Sequence, residues 1–193
     1  MRELRASLVM ILAIGLLFGL IYPLVMTGIS QLAFPWQANG SLLRQGGRVV
    51  GSALVAQRFR GPTYFHPRPS AVGYAANGSG ASNLAPTNRL LIAHVRRRAE
   101  RWQLRLGNKQ AVPFGLVTSS ASGLDPDISP AAARYQAPMV ARSRHLPLHL
   151  IDRLIARHIQ EPLLGILGRP VVNVLELNLA LDRLSAAQKA SGG

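Results

Sequence analysis

The stretch that decides the fold is the amino-terminal "MRELRASLVMILAIGLLFGLIYPLVMTGISQLAFPW", Met1–Trp36. After Arg5 no charged residue occurs until Arg44, and the uniformly apolar part runs from Leu8 to Ile29. At about 1.5 Å rise per residue that part makes a helix about 33 Å long, enough to cross a hydrocarbon core of about 30 Å. Pro23 is expected to kink it, which membrane helices tolerate. Trp36 stands where an interfacial aromatic belongs. A cleaved signal peptide also begins with basic residues, but this apolar run is long for one and no A-x-A-like site follows it. The reading is an uncleaved single-pass anchor: a cytoplasmic tail over 1–7, a transmembrane helix over 8–30 and one extracytoplasmic domain over 31–193. Orientation follows from Arg2 and Arg5 beside the single Glu3, because basic residues flanking a span favour the cytoplasm while long domains translocate largely regardless of charge. Gly15 and Gly19 form a G-x-x-x-G spacing inside the span, the pattern that lets a second membrane helix approach closely.

The 193 residues include 22 Lys and Arg, 20 of them arginine, against 8 acidic residues, for a formal net charge of +14. Without the tail, 20 basic residues face 7 acidic ones. Such a surplus fits an anionic partner, either lipid headgroups or the acidic face of another protein, and nucleic acid is set aside for a domain outside the cytoplasm. The chain has no cysteine, which excludes a disulfide framework, thiolate metal sites and a thiol nucleophile.

Beyond the span, "GSLLRQGGRVVGSALVAQRF" (40–59) reads as two short strands about a turn at Gly46-Gly47. "RGPTYFHPRPSAVGYAANGSGASNLAPTNRLL" (60–91) has no sustained period; over about 60–88 it is a long loop, and Tyr64, Phe65 and Tyr74 predict that it is ordered and pinned to the domain or to a partner. "TNRLLIAHVRRRAERWQLRLG" is a helix capped by Thr87 or Asn88 and ended by Gly107, with Leu91, Val95, Ala99, Trp102 and Leu106 on one stripe. Its arginines read as a solvated face. Phe114 to Thr118 suits a short strand. Ser129 caps a helix with Pro130 at its first position, and Pro138 is expected to kink or shift it. A further helix starts at Pro147, with Leu148, Ile151, Leu154, Ile155 and His158 on its buried side. Val171 to Val174 suits a strand running into a terminal helix, with a frayed tail over about 186–193. The fold class is α+β: one membrane helix and a single mixed α/β domain.

No pattern in this domain makes a catalytic constellation. Asp125 and Asp127 are too few for a calcium cage and suit turn chemistry. His145 and His149 have near-ligand spacing, but Pro147 separates them and no third ligand follows. "NGSGAS" (77–82) lacks the G-K-[ST] ending of a phosphate loop. An accessory or interaction protein is therefore favoured, with no metal and no directly bound cofactor; the alternative is a signal-anchored extracytoplasmic hydrolase or binding protein.

Six blocks in order carry a resemblance: the anchor with "YPL" (22–24), then "GSALVAQRF" (51–59), "YFHPRPSAVGY" (64–74), "SGASNLAPTN" (79–88), "VTSSASGLDPDISPAAARYQ" (117–136) and "LGRPVVNVLELNLALD" (167–182). The chain resembles the KdpC family, the C subunits of Kdp-type potassium-transporting P-type ATPases. That resemblance implies a bacterial inner-membrane complex, a potassium importer. A channel-like subunit binds potassium, a P-type subunit hydrolyses ATP, and a small single-span peptide and the C subunit complete it. It implies a non-catalytic subunit needed for assembly, with one membrane helix and a domain over the outer face of the channel-like subunit. The family is also proposed to act as a catalytic chaperone that raises the ATP affinity of the pump subunit through a Ser-Gly-Gly-Ser-Asn element. Here that element is Ser79-Gly80-Ala81-Ser82-Asn83, so Ser79, Gly80, Ser82 and Asn83 are the weak nucleotide candidates. Ala81 disfavours a φ > 0 conformation there, and a domain outside the membrane cannot meet cytoplasmic ATP. Tyr64, Phe65, Arg68, Pro69, Asn83 and Asp125 are the candidates for docking to partner subunits. The surplus arginines are expected to face lipid or acidic partner surfaces, away from the ion path.

Overall fold

The computed structural model describes residues 1–162 and 164–191. The chain divides into two compact units, residues 1–52 and residues 53–193. The first is dominated by one uninterrupted helix, Arg2–Ala33, long and apolar enough to cross a membrane. Its 32 residues span about 48 Å, more than the hydrocarbon core needs. It comprises α1 (Arg2–Leu16), a π-helical turn (Leu17–Ile21) and α2 (Tyr22–Ala33). A π turn stands just before Pro23, where the kink is expected. Pro23 has no N–H to give the Gly19 carbonyl, and its ring crowds that carbonyl; the helix accommodates it by widening the preceding turn, where the Tyr22 N–H donates five residues back to Leu17 O.

After the short α3 (Pro35–Ala38) comes an antiparallel hairpin, β1 (Leu42–Gln45) and β2 (Arg48–Ser52). Gly46 and Gly47 have φ of 56° and 78°, which is why a Gly-Gly pair makes this two-residue turn. A bulge lies between Leu43 and Arg44. Pairing ends at Ser52 rather than near Phe59, and the hairpin belongs to the same compact unit as the membrane-type helix.

The second unit holds the hydrophobic core. Five helices, α4 (Arg89–Leu106), α5 (Phe114–Val117), α6 (Pro130–Arg144), α7 (Leu148–Arg157) and α8 (Val174–Ser191), surround a small antiparallel sheet. Its strands are β3 (Asp127–Ile128), β4 (Ile159–Gln160) and β5 (Val171–Asn173), in the order β3-β5-β4. Val172 pairs with Ile128 on one side and Ile159 on the other, and is fully buried. The core is built from Trp102 and Leu106 of α4, Ile151 and Ile155 of α7, Leu177 and Leu181 of α8, and a row of small residues on α6.

The α4 ends fall where the sequence places them: Asn88 Oδ1 accepts the Leu90 N–H, and Gly107 adopts φ 67°. Ser129 caps α6 through the Ala132 N–H. Helix α6 then runs unbroken through Pro138 to Arg144. A mid-helix proline costs about 3 kcal/mol; burial of Gln136, Ala137, Met139, Val140 and Ala141 on either side of it outweighs that. The segment 114–118 is a helical turn, not a strand. The turn buries Leu116 and Val117 while Trp102 Nε1 and Arg98 Nη1 satisfy their carbonyls. In α7 Ile151 and Ile155 are buried as expected, whereas Leu148 is exposed. The strand-to-helix switch occurs at Asn173, whose Oδ1 accepts the Glu176 N–H. Helix α8 continues to Ser191, across most of the tail expected to fray; residues 192–193 lie outside the described residues.

Candidate functional site

The proline-rich loop is the part of the domain that sequence singles out, and it is fixed by side chains reaching from two helices, α6 and α8. Two consecutive residues of its extended stretch are gripped by amides. Phe65 donates its N–H to Asn178 Oδ1 and accepts from Asn178 Nδ2, both at 2.9 Å. His66 donates to Gln136 Oε1 at 2.8 Å and accepts from Gln136 Nε2 at 3.1 Å. Asn178 and Gln136 are themselves buried, so each amide replaces the strand partner the loop lacks. The Phe65 ring sits wholly inside the core. Of the docking candidates it is therefore the one that has no surface to offer.

Arg144, at the end of α6, is the second clamp. Its Nε donates to Thr63 O at 2.7 Å, its Nη1 to Ser185 Oγ at 3.1 Å, and its Nη2 lies 2.7 Å from Asp182 Oδ1. The guanidinium also stacks 4.6 Å above the Tyr64 ring, whose hydroxyl donates to Asp182 Oδ2. Loop, α6 and α8 are thus tied through one cation.

Arg68 and Asp125 form an ion pair at 3.0 Å, and Arg68 Nη2 donates to Ser119 O. Both candidates are thus engaged within the domain, as is Tyr74, which donates its hydroxyl to Arg68 O. Asp125 Oδ1 also accepts the Asp127 N–H, and Asp127 Oδ1 accepts from Asn173 Nδ2. Burial, then the neighbouring Asp125 charge, raises the Asp127 carboxyl above its ordinary value. These aspartates work as turn and ion-pair groups. His145 caps α6 with φ 55° while His149 lies within α7, and among the described residues no three His, Asp or Glu side chains converge on one point.

The Ser79–Asn83 element packs against the 120–125 turn. Gly80 N–H donates to Ser122 O at 2.8 Å, and Ser79 Oγ donates to the same oxygen at 3.1 Å. Val72 is held between two glycines: a Cβ on Gly80 would lie 2.9 Å from one of its methyls, and a Cβ on Gly123 would lie 2.7 Å from the other. Gly123 also has φ 69°. Glycine is thus required by close approach at Gly80, and by approach and conformation at Gly123. The donors a phosphate would need from Ser79 and Gly80 are already engaged. Asn83 adopts φ 51°. Pro69 lies beside His66 and Tyr74 in a small cleft described below. In the membrane-type helix a Cβ on Gly15 or Gly19 would meet nothing within 4 Å, so both present open backbone surface.

The residues that hold this site together, Gln136, Asn178, Asn173 and Arg144, are not among the sequence candidates. The signal for the amides is a lone amide set in an apolar run, as in "AARYQAPMVA" and "LELNLALD"; a buried amide must have specific partners.

Comparison with known proteins accounts for nearly the whole chain. Residues 4–183 match the family described as K+-transporting ATPase, c chain. A relative from Rhodospirillum rubrum is 54% identical over 185 residues, covering 94% of this chain and 96% of its own. One from Gemmatimonas aurantiaca is 52% identical over 189 residues, covering 96% and 95%. One from Pseudomonas aeruginosa is 52% identical over 184 residues, covering 95% and 98%. Each is named as a potassium-transporting ATPase KdpC subunit. The chain belongs to the KdpC family, the c chains of K+-transporting ATPases.

Proposed function

We propose that this chain is the accessory, non-catalytic subunit of an ATP-driven potassium-import complex. It is anchored by Arg2–Ala33, with its amino terminus in the cytoplasm and the 53–193 unit outside the inner membrane, over the potassium-entry side of the channel-like subunit. The relatives are named potassium-transporting ATPase KdpC subunits, which supports the subunit reading. The observation that carries the non-catalytic part of the reading is the Ser79–Gly80 turn, whose N–H and hydroxyl both close on Ser122 O. A loop so engaged serves as a packing element between two turns, and ATP and potassium are handled by the partner subunits. Gly15 and Gly19 are the closest-approach positions for a partner membrane helix.

The test has two arms. A tagged chain extracted in mild detergent is expected to bring the P-type ATPase and channel-like subunits with it; extraction alone would overturn the subunit reading. Protease added to spheroplasts is expected to digest the 53–193 unit. Protection of that unit, or photo-cross-linking of ATP to Ser79–Asn83 in the intact complex, would overturn the placement and favour a role in nucleotide binding.

A further inference from the structure

Helix α4 carries Arg98, Arg101 and Arg105 at successive turns, i, i+3 and i+7, which puts them on one face. That face and the proline-rich loop enclose a cleft of about 230 Å³, with His66, Tyr74 and Trp102 forming part of its walls. Arg105 lies 5.5 Å over the Trp102 ring, and Trp102 meets His66 edge-on at 5.7 Å. Arg98 is anchored by one hydrogen bond, Nη1 to Val117 O at 2.9 Å, and Arg101 by Nε to Arg97 O at 3.3 Å. Among the described residues none of the three has a carboxylate partner. The helix's one acidic residue, Glu100, pairs with Arg96.

Three guanidiniums line this one cleft, Arg98 half-buried and Arg101 and Arg105 exposed, and like charges so placed favour an anion between them. Burial, and then the Arg101 charge, holds the Arg98 guanidinium below its ordinary value. The ligand that fits is set by charge, shape and size. A single carboxylate would leave two of three positive charges uncompensated. A phosphoryl group carries up to two charges and three acceptor oxygens, matching the forked donors of arginine. A cleft of about 230 Å³ has room for one phosphate or one phosphorylated headgroup.

We propose that the cleft between α4 and the proline-rich loop is a phosphoryl-binding site in which Arg98, Arg101 and Arg105 hold the oxygens against the Trp102–His66 wall. The group comes either from free phosphate or from a lipid headgroup.

The test uses the full chain in nanodiscs. Trp36 and Trp102 are its two tryptophans, so Trp36→Phe leaves Trp102 as the sole reporter beside the arginines. At constant ionic strength, inorganic phosphate is expected to give a saturable change in Trp102 emission. Arg101→Gln with Arg105→Gln is expected to weaken it at least tenfold while leaving the melting temperature unchanged, because both side chains are exposed. In nanodiscs containing phosphatidylglycerol, a rise in the phosphate midpoint assigns the site to a headgroup, and an unchanged midpoint assigns it to free phosphate. A response that does not saturate, or one equal in the double variant, overturns the proposal. An unchanged response in Arg98→Gln, paired with a folded near-ultraviolet spectrum, would likewise count against it.

Discussion

Arg144 and the row Arg98, Arg101, Arg105 use one side-chain type in opposite ways. The Arg144 side chain is only 11% exposed, and it meets a carboxylate, a hydroxyl, a backbone carbonyl and an aromatic face at once. The α4 row meets two backbone carbonyls and one aromatic ring and, among the described residues, no carboxylate. A buried guanidinium is tolerated only when counter-charge and acceptors come with it. The +14 charge of this protein therefore divides into arginines that build the fold and arginines whose counter-charge the domain does not supply. Removing one of the first kind should cost stability, and removing the exposed Arg101 or Arg105 should not.

The largest effect is expected at Arg144. Arg144→Met leaves Asp182 and Thr63 O without their cation, and should lower unfolding free energy by about 3–5 kcal/mol. Urea unfolding of the full chain in detergent, followed by Trp102 emission, measures it. Arg101→Gln in the same assay should change stability by less than about 0.5 kcal/mol. Equal losses at the two positions would erase the distinction between the two sets.

Next is Asn178→Leu, alike in branching but unable to pair with Phe65. It leaves a buried N–H and a buried carbonyl unsatisfied, at about 2–4 kcal/mol for the two together. The loop should also become cleavable between Thr63 and Tyr74, which limited proteolysis reads directly. If the loop stays protected, the core burial of Phe65 alone is enough to hold it.

That amide grip marks where sequence reasoning stops. Local signals were enough for Asn88 and Gly107 at the ends of α4, for the Gly46-Gly47 turn, and for the switch from Val171–Asn173 into a helix. Each is decided within a few residues of the chain. The alternating leucines from Leu175 to Leu181 fit strand or helix, because all four are buried and periodicity has no exposed face to reveal. The 114–118 turn and the continuity of α6 past Pro138 lie beyond local signals for a related reason: what decides them is a neighbour far along the chain. Trp102 and Arg98 close the first, and packing around Ala137 and Met139 carries the second past Pro138. The same holds for the candidate site. Tyr64, Phe65, Arg68 and Asp125 were visible as unusual residues in an unusual loop, but their partners are Asn178, Arg144 and Ser119, on distant segments.

Between the two arginine sets lies the glycine clamp on Val72, and it should respond at an intermediate level. Gly123→Ala places a methyl 2.7 Å from Val72 and 2.8 Å from Gly80 O at a positive φ. The expected loss is about 1–3 kcal/mol. Val72→Ala in the same chain should recover the steric part and leave the conformational part. No recovery would mean that the backbone contact to Gly80 O dominates.

The smallest effect is also the one that links the two sets, because His66 is gripped by Gln136 on one side and faces Arg105 on the other. Burial lowers the His66 pKa from its ordinary 6.5, with the Arg105 charge adding to it and the carbonyls of Gly61 and Phe59 opposing. The folded protein then binds the proton less readily than the unfolded chain. The stability this gives is complete above pH 6.5 and is lost as pH falls through the lowered folded value. Histidine NMR titration of the full chain should place His66 below 6.5, and Arg105→Gln should move it upward. A phosphoryl group in the cleft should move it the same way, by cancelling the same charge. If Arg105→Gln leaves the His66 titration unmoved while phosphate still shifts it, then Arg98 or Arg101 rather than Arg105 sets the field at this ring, and the row acts on the loop from its other end.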